Sequence, residues 1–132
     1  MEISVSKEQG RVSITVLRVK GDINATTSDQ LVAQAQKAFD AGARHLLVDM
    51  TEVPYMSSAG VRALNTIFNL LRGDGAGESD PEVRKGLSDG TFRSPHLKLL
   101  NPTRHVREVL SMTGLDMFLE IHSNLKEAVA SF

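Results

Sequence analysis

The sequence predicts an α/β fold, a mixed and mainly parallel sheet of about five strands with about four helices, opened by a β-hairpin. Three observations carry this. Two alternating β-branched segments stand close together at the start of the chain. After them, strand patterns alternate with helical patterns, which implies parallel crossovers within one sheet. One strand, Leu46-Leu47-Val48-Asp49-Met50, is apolar on both faces up to Asp49, as a covered central strand must be.

The elements follow in order. Ile3, Val5 and Lys7 alternate with Ser4 and Ser6, and Glu8-Gln9-Gly10 makes a turn. Val12, Ile14 and Val16 then share one face with Arg18, while Ser13, Thr15, Leu17 and Val19 occupy the other. Two strands joined so tightly are most simply a hairpin, and Lys20-Gly21-Asp22 stops the second. Thr27 and Gln30 have the spacing of a capping box, and Leu31, Val32, Ala35, Ala38 and Phe39 recur at helical spacing. Gly42 is expected to end this helix in a left-handed conformation. Pro54 falls in the loop after the central strand, where its missing N–H costs nothing. A second helix carries Val61, Leu64, Phe68 and Leu71 on its buried stripe, with Ile67 beside them. His96–Leu100 reads as a strand, and Asn101-Pro102-Thr103 as a helix start capped by Asn101. Val106, Val109, Leu110 and Met112 or Thr113 form the apolar face of that helix. Gly114 closes it and Leu115 packs back. Phe118 to His122 reads as a last strand, and Ser123 as the cap of a terminal helix bearing Leu125, Ala128 and Val129.

The 132 residues fit one domain, with no internal repeat. The compositional break is a polar, Gly-rich stretch at about 73–95, too long for a tight connection; it reads as a flexible surface insertion, with Val83 to Leu87 able to form a helical turn. Apolar residues are 41% and charged residues 23%, a soluble globular profile. A net charge of −1 gives no strong pull toward nucleic acid or anionic lipid. The absence of cysteine excludes disulfides and thiolate chemistry and fits the cytoplasm. The polar N-terminus is no signal peptide, and no apolar run is long enough to insert in a membrane.

The candidate site is the junction Tyr55-Met56-Ser57-Ser58-Ala59-Gly60, where the loop after the central strand becomes a helix. A serine there is exposed, close to backbone N–H donors and at the positive end of a helix dipole. Either serine can cap the helix, and the two share one cap position, so one is spare. A phosphate on the spare serine would be favoured by the dipole, and Arg62, one turn on, could pair with it. A hydrolase reading fails because the flanking residues are not Gly-x-Ser-x-Gly and His45, His96, His105 and His122 assemble no triad. The histidines also lack metal-ligand spacing. No cofactor is indicated. Asp49 reads as structural, Arg104, Arg107 and Glu108 as a solvated helix face, and Met56 and Met112 as core or interface fillers.

Gly21-Asp22-Ile23-Asn24, the strand Leu47–Met50, the loop Val53-Pro54-Tyr55-Met56, the junction Ser57–Leu64 and the late Val109–Leu115 together resemble the STAS domain, in the order found in bacterial anti-sigma factor antagonists. The resemblance spans nearly the whole chain except 73–95 and implies a single STAS domain over 1–132. It implies partner switching in the cytoplasm and no enzymatic activity. The unphosphorylated antagonist binds an anti-sigma factor that is also a serine kinase and so releases the sigma factor. Phosphorylation at the start of the second helix ends the binding, and a serine phosphatase reverses the mark. Matched by position, the phosphorylated serine is Ser58, and the partner-binding residues are Asn24, Thr26, Tyr55, Met56, Ser57, Ser58, Ala59, Gly60 and Arg62. The family often carries Asp where this chain has Ser57 and Asn24, so negative charge beside Ser58 is removed. A STAS module without a switch, serving a scaffold, a lipid-transport complex or a small-ligand sensor, is the alternative.

Overall fold

The computed structural model describes residues 1–71 and 94–132. The insertion expected at 73–95, with its helical turn from Val83 to Leu87, therefore lies almost wholly outside the described residues. Five strands, β1 (Glu2–Gln9), β2 (Ser13–Lys20), β3 (Leu46–Glu52), β4 (Leu97–Leu100) and β5 (Ile121–His122), form one sheet in the order β1-β2-β3-β4-β5. β1 and β2 are the antiparallel hairpin, with Glu2 opposite Lys20 and Gln9 opposite Ser13. The pairs β2–β3, β3–β4 and β4–β5 are parallel. The helices are α1 (Ser28–Asp40), α2 (Ser58–Leu71), α3 (Arg104–Thr113) and α4 (Leu125–Ser131).

The layering follows from this order. Each parallel strand is added on the same side of the one before it. Right-handed crossovers then place α1, α2 and α3 on a single face of the sheet. The main core lies under them, built from Leu17, Val19, Leu46, Val48, Met50, Leu97 and Leu99 on the strands against Leu31, Leu64, Ile67, Phe68, Val106 and Leu110 on the helices. Among the described residues, the opposite face is covered by α4. Ile14, Val16, Leu47 and Leu100 meet Ala128 there, with Leu125, Val129 and Phe132 around them. Lys98 is buried on that second face. Its ammonium donates to Ser131 O at 2.8 Å and Ser131 Oγ at 3.1 Å, and pairs with Glu120 at 2.8 Å, so α4 is held by polar bonds as well as a small apolar cluster.

Several local expectations need correction. The capping box does not form. Thr27 precedes α1 but has αR backbone angles and makes no side-chain cap bond. Its hydroxyl instead donates to Asp22 O at 2.8 Å and accepts from Asn24 N at 2.9 Å, so it closes the β2–α1 turn. Asn101 does not cap α3. It has φ 50 and Thr103 is the residue before the helix. The Thr103 hydroxyl is also drawn away, donating to Val53 O at 2.8 Å and tying the start of α3 to the loop after β3. Asn124, not Ser123, caps α4, accepting from Glu127 N. The last strand is only Ile121–His122, because a 3-10 turn occupies Leu115–Met117 and Phe118 turns its ring against Phe68 at 4.8 Å. Of the two places expected for Met112, core or interface, its 87% exposure leaves only the interface. Gly42 does adopt positive φ, at 108, just past the end of α1.

Asp49 is buried on β3 and is structural, as expected. Its Oδ1 accepts from Thr51 Oγ1 at 2.6 Å and Thr51 N at 3.0 Å, and its Oδ2 accepts from Arg18 Nε at 3.0 Å. Burial by itself would raise its pKa, but the bonds from Thr51 and the Arg18 guanidinium outweigh it and hold the carboxyl below its ordinary 3.8. A depressed folded-state pKa gives stability that is fully present above the unfolded value and lost as pH falls through the folded one. Arg18 is half exposed, so most of the effect belongs to the Thr51 bonds. Asp49→Asn is therefore expected to cost about 1–3 kcal/mol at neutral pH. Urea unfolding should show that gap shrinking as pH drops below about 4; a gap independent of pH would contradict this account.

Candidate functional site

The site is built where β3 hands over to α2. β3 ends at Glu52, and the chain passes through Val53-Pro54-Tyr55 before an isolated parallel bridge pairs Met56 with Ile23. Ile23 N donates to Tyr55 O at 3.0 Å, and Ser57 N donates to Ile23 O at 2.9 Å. Both bridging side chains are buried, with Ile23 at 0% and Met56 at 1% exposure. This bridge lays the β2–α1 turn beside the β3–α2 junction, so residues more than thirty positions apart share one surface.

Within the turn, Asn24 Oδ1 accepts from Thr26 N at 2.9 Å and Thr27 N at 3.2 Å, an Asx turn that needs only the oxygen. Asn therefore keeps the turn that Asp would make and removes its charge. Asn24 is partly exposed and Thr26 exposed.

At the junction the two serines divide the work. Ser57 is the capping residue: its carbonyl accepts from Gly60 N at 3.0 Å and its Oγ accepts from Ala59 N at 3.2 Å. Ser58 is the first helical residue and is exposed. Its hydroxyl has no hydrogen-bond partner among the described residues. The first turn of α2 contains no acidic residue, so the positive end of the helix dipole is uncompensated there. The arrangement offers a free hydroxyl in a setting that favours an added anion. Ser57→Ala should lower stability by about 1 kcal/mol through loss of the cap, measurable as a shifted urea midpoint with Ser58 still exposed; an unchanged midpoint would assign the cap elsewhere.

The other expected contact residues separate into surface and support. Tyr55 is 44% exposed, and its ring stacks on His105 of α3 with centroids 5.0 Å apart and planes 18° apart. Arg62 is exposed, four positions on from Ser58, and lines a hollow of about 230 Å³ with Ala25, Ser28 and Asp29 of the α1 side and Ala59 and Thr66 of α2. It has no ion pair among the described residues. Met56, Ala59 and Gly60 are buried and lie beneath the surface on which the sequence placed them. Gly60 has a specific reason to lack a side chain: a Cβ there would meet the Met56 side chain and stand 2.9 Å from Ile23 Cγ2. It lets α2 press directly onto the Ile23–Met56 bridge.

Sequence reasoning missed Ile23, Thr103 and His105. Ile23 had a local signal, an apolar residue inside a polar turn. Thr103 and His105 reach the loop from about fifty residues away and left none. None of the four histidines bonds to either serine. His45 instead packs against His96 at 5.3 Å and Phe132 at 5.9 Å. Among the described residues there is no group of three or more His, Cys, Asp or Glu able to hold a metal, and no helix long and apolar enough to cross a membrane.

Comparison with known proteins agrees with this architecture. BtrV of Bordetella bronchiseptica, named as a candidate anti-sigma factor antagonist, is 25% identical over 132 residues, covering 100% of this chain and 95% of that protein. The crystal structure of an anti-sigma factor antagonist from Mycobacterium paratuberculosis has a TM-score of 0.69 at 17% identity, over 98% of this chain and 93% of that one. The Bacillus cell fate determinant SpoIIAA in its phosphorylated form has a TM-score of 0.57 at 18% identity, over 96% of each chain. At these identities the two structures establish a shared fold. The sequence profile of the STAS domain matches residues 5–77, more than half of the chain, with β2, α1, β3, the serine junction and α2 inside the match. This chain belongs to the STAS domain family.

Proposed function

We propose that this protein is an anti-sigma factor antagonist that acts by partner switching in the bacterial cytoplasm, its 132 residues working as one STAS domain. Unphosphorylated, it binds an anti-sigma factor with serine kinase activity through Asn24, Thr26, Tyr55, Ser57, Ser58 and Arg62, and the sigma factor is released. The kinase transfers phosphate to Ser58, the complex dissociates, and a serine phosphatase restores the starting state. The chain itself performs no catalysis and needs no cofactor.

The observation that carries this reading is the division of labour at the junction: Ser57 supplies the cap, leaving the exposed Ser58 hydroxyl unbonded at an uncompensated helix N-terminus. A phosphate there is favoured by the dipole by roughly 0.3–1 kcal/mol, so modification leaves the fold intact and changes only the surface. The name of BtrV and the phosphorylated form of SpoIIAA point in the same direction.

The test is incubation with the host's anti-sigma kinases and ATP, followed by mass spectrometry of the peptide spanning the junction. Modification at Ser58, absent from Ser58→Ala, is expected. Modification at Ser57 alone, or at neither serine, would sink the reading.

A further inference from the structure

A second concave surface lies at the other end of β3, remote from Ser58. It is a groove of about 780 Å³ between the end of α1 and the face of the hairpin that α1 packs on, the face that carries Leu17 and Val19. One wall is the row Val5, Lys7 and Gln9 on β1, and the other is formed by the last turns of α1, including Lys37 and Ala38; Arg11 of the hairpin turn stands at one end. β1 is an edge strand, unpaired on its outer side among the described residues.

The charge of this groove is not what composition would deliver. The chain has 15 Lys and Arg against 16 Asp and Glu, yet among the described residues the groove is lined by Lys7, Arg11, Lys37 and Arg44 and by no acidic residue. Arg44 is already committed. Its Nη1 donates to Phe39 O at 2.9 Å and Ala43 O at 2.8 Å, and its guanidinium lies 3.9 Å from the Phe39 ring centroid. That neutralises the carbonyl end of α1, which would otherwise repel an anion. Lys7, Arg11 and Lys37 are exposed, and none has an ion pair among the described residues. Between them the surface is mixed: Val5 is 51% exposed, Val12 and Ala38 also line the groove, and Gln9, Ser13 and Gln34 add polar groups.

We propose that this groove docks an extended acidic segment of a protein partner, its carboxylates meeting Lys7, Arg11 and Lys37 and its apolar side chains covering Val5, Val12 and Ala38. The shape selects an extended chain. From Val5 to Gln9 the β1 row spans about 13 Å at the strand rise of about 3.3 Å per residue, room for roughly four residues of extended peptide. The edge of β1 offers free backbone groups alongside, and the complementary charge speeds encounter and fixes register. The site is independent of the proposed switch, because the length of β3 separates it from Ser58.

The experiment measures fluorescence anisotropy of a labelled peptide, acetyl-Glu-Leu-Asp-Leu-Glu-Asp-amide, titrated with the full chain at low salt, with a Lys-substituted peptide as control. Saturable binding of the acidic peptide alone is expected, lost as ionic strength rises past about 0.3 M. Lys7→Glu with Lys37→Glu should weaken it at least about tenfold. Arg107→Glu with Lys126→Glu, which changes the net charge equally on distant exposed helix positions, should leave it within about twofold. Ser58→Asp should have no effect. Absence of acidic-peptide binding at low salt would overturn the proposal. Equal losses in the two charge-reversal pairs would also overturn it, because they would mark bulk electrostatics, as would binding confined to anionic lipid vesicles.

Discussion

Gly60→Val is expected to lower stability by about 3 kcal/mol. In an ordinary helix a glycine is a liability, and replacing it gains up to about 1 kcal/mol. Here the sign reverses, because the space a Cβ would take is filled by Met56 and by Ile23 Cγ2 at 2.9 Å. Both neighbours are buried and bridged through their backbones, so neither can retreat without breaking the contact between the β2–α1 turn and the junction. Gly60→Ala should show the same conflict in milder form, its helix-propensity gain offset by overpacking. Urea unfolding measures both. A variant at Gly60 that matched or exceeded the parent stability would show that α2 does not depend on this close approach. The loss should reach partner binding as well, because the bridge sets the two halves of the surface against each other.

Ser58→Asp should separate stability from binding. The added carboxylate sits at the first position of α2, where the dipole favours it, so stability should hold or rise by roughly 0.3–1 kcal/mol. Affinity for the anti-sigma partner should fall by about a hundredfold, roughly 3 kcal/mol, because docking must then desolvate an unpaired charge. Ser58→Ala should keep both stability and binding, since the Ser58 hydroxyl has no partner among the described residues. Calorimetric titration beside thermal unfolding separates the two effects. Parallel losses of stability and affinity in Ser58→Asp would mean that the carboxylate acts by damaging the fold rather than by altering the surface.

The legible and illegible parts of the sequence divide by range. The hairpin could be read because β-branched alternation is a local pattern, and β3 because a run apolar on both faces has few other homes. The junction was visible because the strand ends and the helix begins within a few residues. Caps were not reliably visible. Thr27, Asn101 and Ser123 all had the composition of a cap, but Asp22 O claims the Thr27 hydroxyl, a left-handed backbone removes Asn101, and Asn124 takes the cap in place of Ser123. The final strand shrank for a similar reason, since Phe118 serves the core against Phe68 rather than the ladder. In the candidate site, the sequence pointed to two segments that the fold brings side by side but could not sort their residues by depth. Met56, Ala59 and Gly60 sit among exposed residues in the chain yet are buried, Met56 in the bridge to Ile23 and Gly60 pressed against that bridge. That bridge, and the ties from Thr103 and His105, join positions too far apart for any local pattern to announce.

The choice between the two serines carries the central claim, and the affinity of the modified protein tests it most directly. Wild-type protein phosphorylated by the proposed anti-sigma kinase, with Ser58 confirmed as the only modified residue, would be titrated against that kinase before and after treatment with a serine phosphatase. The account predicts tight binding before modification, binding about a hundredfold weaker in the phosphorylated form, and full recovery after dephosphorylation. Equal affinity of the phosphorylated and unphosphorylated forms would contradict it.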